Sequence, residues 1–318
     1  MAFEATLEKF FGSLEHSKFI VITNPPKIFI CGGEFDSGQL IPQSLRERII
    51  NHLDDHHQDI YSSCVKAEDF KDYFKEEAYK DLFDFETDIA NIATLIIVCL
   101  ESPGSLVELG MFCSNAHLSH KLCVVAPQDK VEQKNSFIYL GPLESLRSRN
   151  KGSVLIYPWP DTSTLDYPHI EFIVSDIIEL LGKTSKSEAF KHDNSAHIAF
   201  LIHDIILLTY PIKLHEIMLA VKALGLDIPA KTINRLLYLL EKINLIGRTE
   251  YSNTVYYYST SDDERRVKFG TSKAGVVEDM PKVKMSFKQS FIINMDEQSK
   301  KRRYALEVIM KIKEGRGK

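Results

Sequence analysis

Two glutamates bracket a glycine-bearing turn in the stretch ESPGSLVELG, residues 101–110. Glu101 directly follows the apolar run TLIIVCL, and Glu108 lies just ahead of MFCSNAHLSHK, which has helical character. A carboxylate held where a buried strand meets a helix suits attack on an anomeric carbon, whose transition state resembles an oxocarbenium ion. The glycosyl ester so formed passes to water or to another acceptor, which Glu101 is placed to assist. The spacing predicts a helix from about Ser105 to Leu118, with Ser105 as its N-cap and Glu108 at the third helical position. SLVE is therefore also a plain capping box. On either reading Glu108 falls in the first turn, where the helix dipole favours its ionised form.

The elements that must hold these residues alternate in type. KIFICGG is a short β-rich run, QSLRERIINHLDD has helical spacing, and DIYSSCV is strand-like. AEDFKDYFKEEAYKDLFDFETDIANIA reads as helix, followed by the strands TLIIVCL, KLCVVAP and SVLIYPW. Strands alternating with helices predict an open parallel α/β sheet, Rossmann-like or flavodoxin-like, within a first domain of residues 1–182. In such a sheet ligands sit beyond the carboxyl ends of the strands, so CGGEFD and ESPGSLVELG would open onto one crevice. Gly32 and Gly33 would let the backbone approach a sugar or phosphate, although no GxGxxG is present.

Beyond a polar linker, residues 183–194, the pattern changes. HIAFLIHDIILLTY, KLHEIMLAVKALG and PAKTINRLLYLLEKINLI read as helices, and TVYYYSTSDD as β structure, the order of a winged helix over residues 195–280. In the third helix Ile233, Leu236, Leu237, Leu240 and Ile243 share one face, leaving Lys231, Asn234, Arg235 and Lys242 outward to meet DNA or another protein. Residues 281–318 form a basic tail with Lys300 to Arg303 contiguous.

Charge separates along the same boundary. Residues 1–182 carry 15 Lys and Arg against 28 Asp and Glu, a net of −13, whereas residues 183–318 carry 24 against 16, a net of +8. A basic back half is suited to a polyanion or is a solvated face. The five cysteines are widely spaced with no CxxC pair, which argues against a disulfide framework or a zinc motif. His52, His56 and His57 cluster in HLDDHHQD, a solvated loop or helix end where no metal is expected. No apolar run approaches the roughly 20 residues that span a bilayer, and the N-terminus lacks signal-peptide features, so a cytoplasmic protein is expected.

IFICGG, AEDF, FETDIANIATLIIVCLESPGSLVELGMFCSN and NSFIYLGP resemble the nucleoside deoxyribosyltransferase-like family, especially effectors encoded with bacterial retrons, which join such a domain to a C-terminal winged helix. The resemblance implies Glu108 as nucleophile and substrate contacts from Cys31, Gly32, Gly33, Gly104 and Ser105. It further implies a ribose or base contact at Glu68 and Asp69, which could equally cap a helix, and polar contacts at Asn115 and Ser136; Glu86, within a helix-like stretch ahead of the central strand, would either orient Glu108 or the ribose or be an exposed helix charge. Deoxyribosyltransferases of this family carry an aspartate about six residues before the nucleophile; here that position is Ser102, with Glu101 beside it. Loss of that acid disfavours a neutral purine, which must be protonated to leave, whereas the nicotinamide of NAD is already cationic. The resemblance thus implies an N-glycosidase that takes NAD as substrate, needs no cofactor or metal, and acts as a toxin in anti-phage defence. Its partners would be the retron reverse transcriptase and its branched RNA-linked DNA, with self-association in a larger assembly. The alternatives are a deoxyribosyltransferase or glycosidase acting on nucleotides or DNA bases, and a non-catalytic nucleotide sensor that binds DNA.

Overall fold

The chain opens with α1 (Phe3–Ser13) and β1 (Ile20–Ile22), and then enters the predicted alternation. In order come β2 (Ile28–Cys31), α2 (Leu45–His56), α3 (Gln58–Tyr61), β3 (Cys64–Val65), α4 (Leu82–Ile92), β4 (Leu95–Cys99) and α5 (Pro103–Ser114). These are followed by β5 (Leu122–Pro127), α6 (Gln128–Glu132), α7 (Glu144–Arg149), β6 (Val154–Tyr157) and α8 (Ile170–Lys183). The computed structural model describes residues 3–36, 38–66, 78–132 and 136–316. It divides into a sheet unit, Pro25–Phe74 with Lys80–Ser185, and a second unit of Met1–Asn24 and Lys186–Lys318 with the short piece ending at Tyr79.

The sheet unit is built on five parallel strands in the order β3-β2-β4-β5-β6. β2, the first strand, pairs with β3 on one side and β4 on the other, so the order reverses at the β2/β4 boundary, the place where open sheets form a crevice. Successive residues of a strand point to opposite faces. Ile28, Ile30, Leu95, Ile97 and Cys99 therefore join Leu45, Ile49 and Leu53 of α2 and Ile173, Val174 and Ile177 of α8 in one core. Phe29 points the other way and meets Phe112 of α5, ring centres 6.2 Å apart. Cys31, two residues on, shares that face.

Several local expectations are revised. DIYSSCV is mostly not strand: α3 runs to Tyr61 and only Cys64–Val65 pairs. Of the long helix read from AEDF onward, the described part begins at Leu82, where Asp81 accepts from the Asp84 amide as N-cap. The stretch NSFIYLGP contributes a wide helical turn, Tyr139–Leu143, leading into α7.

The second unit contains a three-stranded antiparallel sheet in which β1 lies between β7 (Ser187–Ala189) and β10 (Val267–Lys268). The stretch read as a linker thus includes a strand, and the N-terminal 24 residues group with this unit rather than with the parallel sheet. Next come α9 (Ser195–Thr209), α10 (Leu214–Ala223) and α11 (Ala230–Lys242), then the antiparallel hairpin β8 (Ile246–Tyr251) and β9 (Thr254–Ser259). Gly225 ends α10 with φ of 80°, a backbone conformation that costs glycine little. α9 is buried along nearly its whole length, and its polar pair His203 and Asp204 is fully hydrogen-bonded. Asp204 accepts from the amides of Arg266 at 2.8 Å and Val267 at 3.0 Å and lies 2.9 Å from His203 Nδ1. On α11, Ile233, Leu236, Leu237 and Leu240 are buried as the spacing predicts. Two of the outward cations rest on aromatic faces, Arg235 on Tyr79 at 5.7 Å and Lys242 on Tyr238 at 5.4 Å.

The basic tail is two helices, α12 (Met280–Ile292) and α13 (Glu297–Arg316). Within its Lys300–Arg303 run, Arg302 is 3% exposed, stacks on Phe3 at 3.7 Å, and donates to Glu216 and to the carbonyl of Pro211. Arg303 donates to the carbonyls of Phe291 and Asn294 at 2.7 and 2.6 Å. Half of that charge run is therefore an internal staple, because a guanidinium satisfies several carbonyls at once.

Candidate active site

The turn after β4 is fixed from within. Ser102, not Ser105, is the N-cap of α5: its Oγ accepts from the Ser105 amide at 3.1 Å, and Ser105 Oγ in return accepts from the amides of Ser102 and Glu101 at 3.1 and 3.2 Å. Pro103 occupies the first helical position, where its missing N–H costs nothing. Ser105 is fully buried, so its hydroxyl holds the turn. Gly104 is exposed at the start of the helix.

This start moves Glu108 to the sixth helical position, beyond the first turn in which the dipole acts strongly. The helix dipole therefore acts on Glu108 only weakly. What the shift supplies is direction. Glu108 lies on the face of α5 that carries Ser105 and Phe112, three residues before and four after it. Phe112 meets Phe29 of β2, so that face looks onto the strand that ends in Cys31.

Glu86 arrives from a different helix. It is 9% exposed on α4, and its charge acts on the Cys31 thiol together with that of Glu108. Burial pushes the Cys31 thiol well above the usual cysteine value, with Glu108 and then Glu86 adding to it and Arg46 opposing. Burial also raises the Cys99 thiol, followed by Glu101, Cys123 and again Glu108. The ends of β2 and β4 thus sit within the field of three carboxylates and one guanidinium.

Glu101 is committed to the backbone. Its Oε1 accepts from the amides of Gly33 at 2.8 Å and Arg46 at 3.1 Å, and its Oε2 from the amide of Leu45 at 2.7 Å. Leu45 and Arg46 are the first two residues of α2, whose N-cap Ser44 accepts from Glu47. Burial raises the Glu101 carboxyl above its ordinary value, and the three amides offset this in part. The residue expected to help the acceptor is therefore the post that holds the first loop against the β4 turn. Gly32 and Gly33 serve the same joint. A Cβ on Gly32 would stand 2.7 Å from Glu101 Oε1 and 2.8 Å from Arg46 Cβ, and one on Gly33 would stand 2.9 Å from Ser44 Cβ. Ser102 Oγ closes the joint by donating to the Gly32 carbonyl at 3.1 Å.

A cleft of about 620 Å³ opens over the ends of β4 and β5, walled by Ser102, Pro103, Leu106, Ser136, Tyr139 and Trp159 among others. Glu108 is absent from that wall. It follows Leu106 by two residues, about 200° around the helix, so the cleft and the paired carboxylates flank the N-terminal half of α5 from two sides. A groove of about 680 Å³ between α1 and α12 belongs to the other unit. Ser136 accepts from the Tyr139 amide at 3.3 Å. Asn115 caps the far end of α5, where its Oδ1 accepts from His117, about 10 Å along the helix from Glu108. Glu68 and Asp69 lie outside the described residues.

Sequence reasoning missed Arg46. It is 4% exposed, acts on both Cys31 and Cys99, and reaches the Gly33 carbonyl at 3.4 Å. Its signal is visible in hindsight: a cation in the first turn of the helix that follows a glycine-rich strand end, where the dipole does not favour it.

Comparison with known proteins bears on this arrangement. A protein of Escherichia coli named "Retron Ec73 putative ribosyltransferase/DNA-binding protein" is 28% identical over 248 residues, which is 72% of this chain and 76% of the relative. Another from the same organism, "Retron Ec86 putative ribosyltransferase/DNA-binding protein", is 33% identical over 138 residues, 40% of this chain and 39% of the relative. The family model for STM3845 retron effector proteins matches residues 42–248. That span starts just past the glycine joint and takes in Arg46, Glu86, Glu101 and Glu108 as well as α9 to α11. Matched over about two thirds of its length and across the carboxylate-bearing strand ends, the chain belongs to the STM3845 retron effector protein family.

Proposed function

We propose that the sheet unit is an N-glycosidase that cleaves NAD, and that the protein is the toxic arm of a retron anti-phage system. What supports this reading is that Glu108 of α5 and Glu86 of α4 both act electrostatically on Cys31, at the end of β2 where the strand order reverses. The ribosyltransferase names of the two relatives support glycosyl transfer as the reaction class. Glu108 attacks the anomeric carbon of the nicotinamide ribose, forming the ester C–O bond as the C–N bond breaks. The bonding electrons pass to the cationic ring nitrogen, and neutral nicotinamide leaves without a proton. Water then adds at the anomeric carbon, Glu86 takes its proton, and Glu108 leaves as carboxylate. Glu101 acts as a positioning residue through the α2 amides, and Arg46 as a buried cation beside the same joint.

The second unit is read as a winged helix, supported by its three helices and hairpin and by the DNA-binding names of the relatives. Membership of a retron effector family supports association with the reverse transcriptase and its RNA-linked DNA. No helix among the described residues is long and apolar enough to cross a membrane.

Product analysis tests the reaction. Nicotinamide and ADP-ribose should appear by mass spectrometry when the protein is induced to toxicity, and Glu108→Gln should yield neither. Release of free bases from deoxynucleotides with NAD untouched would assign the deoxyribosyltransferase reading instead. Full toxicity of Glu108→Gln with NAD intact would leave the sensor reading.

A further inference from the structure

The sheet unit carries a second constellation of chemistry-bearing side chains, at the opposite end of α2 from the Glu101 joint. His52 and His56 are one helical turn apart near the end of α2, and His57 is the residue that caps it. Residues four apart share a helix face, the spacing by which two imidazoles reach one ion. The ring centres of His52 and His56 are 4.5 Å apart, and those of His52 and His57 are 6.1 Å apart. Two imidazoles bound to one tetrahedral zinc at about 2.0–2.1 Å hold their ring centres about 5 Å apart, between these two values.

The fourth wall comes from far away in sequence. α8 packs beside α2 on the same core, and Glu171 in its first turn lines one pocket with the three rings. The five side chains His52, His56, His57, Glu171 and Ser175, with Ile178, line an open pocket of about 340 Å³. Three imidazoles and a carboxylate form a donor set suited to zinc, nickel or copper rather than to magnesium or calcium, which prefer all-oxygen shells.

We propose that His52, His56, His57 and Glu171 bind a borderline divalent transition metal, zinc being the type case, which clips the end of α2 to the start of α8. The rings are tilted by 50° and 42° to one another and must turn to bring their nitrogens into one shell. Among the described residues the group whose donor atoms already lie within 4.8 Å is Glu4, His215 and Glu216 of the other unit. That group is a poor rival, because Glu216 is already paired with the buried Arg302 guanidinium.

The consequence is mechanical as well as chemical. α2 presents its first two amides to Glu101, so an ion at its last turn anchors the helix that holds the glycine joint. The experiment is calorimetric titration of the full-length, chelator-treated protein with zinc chloride at pH 7.5, with magnesium chloride as control. One zinc should bind per chain with dissociation constant in the micromolar range or below, and magnesium should give no saturable heat. His56→Ala, an exposed position, should weaken zinc by about 100-fold and Glu171→Gln by about 10-fold, the range expected when a ligand or its support is lost. Binding should also weaken from pH 7.5 to 5.5 as protons compete for the imidazoles. Absence of saturable zinc binding, or zinc affinity unchanged in His56→Ala, overturns the proposal.

Discussion

Glu101 Oε2 accepts the backbone amide of Leu45 at 2.7 Å, linking the end of β4 to the first residue of α2 across 56 positions of sequence. With the amides of Gly33 and Arg46 on its other oxygen, one carboxylate satisfies three donors that secondary structure leaves open.

Glu101→Gln places an NH₂ where an acceptor is needed. One amide at the start of α2 loses its partner inside a largely buried joint, which costs about 1–3 kcal/mol. Urea unfolding of the variant should show a lower midpoint with the slope unchanged. Glycosidase activity should fall together with the order of the first loop, and Glu101→Ala should be worse than Glu101→Gln.

Gly32→Ala drives a methyl group to within 2.7 Å of Glu101 Oε1 and 2.8 Å of Arg46 Cβ. Overpacking of this kind costs about 1–3 kcal/mol. Gly110→Ala is the matched control. A Cβ there meets nothing within 4 Å on an exposed face of α5, and alanine is the better helix former by about 1 kcal/mol. Thermal melts should move in opposite directions for the two variants.

Arg302→Ala leaves Glu216 buried without its guanidinium, for a loss of about 3–5 kcal/mol. Lys300→Ala, an exposed neighbour in the same charge run, should fall within about 0.5 kcal/mol of the parent. Were the second unit to bind DNA as proposed, Lys300→Ala should reduce the salt dependence of that binding, while Arg302→Ala should act through stability.

Acid should loosen the second unit through Asp262. Burial pushes its carboxyl up, but the Tyr210 hydroxyl, Lys284 and Lys313 outweigh burial and hold it well below the usual aspartate value of 3.8. A depressed folded-state value means stabilisation that is complete above the unfolded-state value and is lost as pH falls through the folded one. Melting temperature should therefore drop below about pH 4, and Asp262→Asn should lower it at neutral pH while flattening that acid limb. An acid limb identical in variant and parent would assign the loss to other groups.

The parallel sheet was legible because strands buried on both faces read as unbroken apolar runs, and TLIIVCL and KLCVVAP are such runs. Glu108 and Glu86 were legible as candidates from motif resemblance. The helix start was not placed correctly, although Ser102-Pro103 carried the signal: serine at the cap and proline in the first position outrank a second serine three residues later. The commitment of Glu101 to α2 amides could not be read, since it joins segments more than 50 residues apart. The basic run at 300–303 misled for a related reason. Contiguous like charges suggest solvent, yet the helical period of α13 places Arg302 on the same buried face as Ala305 and Ile309.

The Cys31 thiol, buried at the end of β2, is held in its protonated form. Burial and the two facing glutamates keep the thiol from ionising, and the thiolate is the form that reacts with oxidants and alkylating reagents. The Cys31 thiol should therefore react slowly with peroxide and with iodoacetamide.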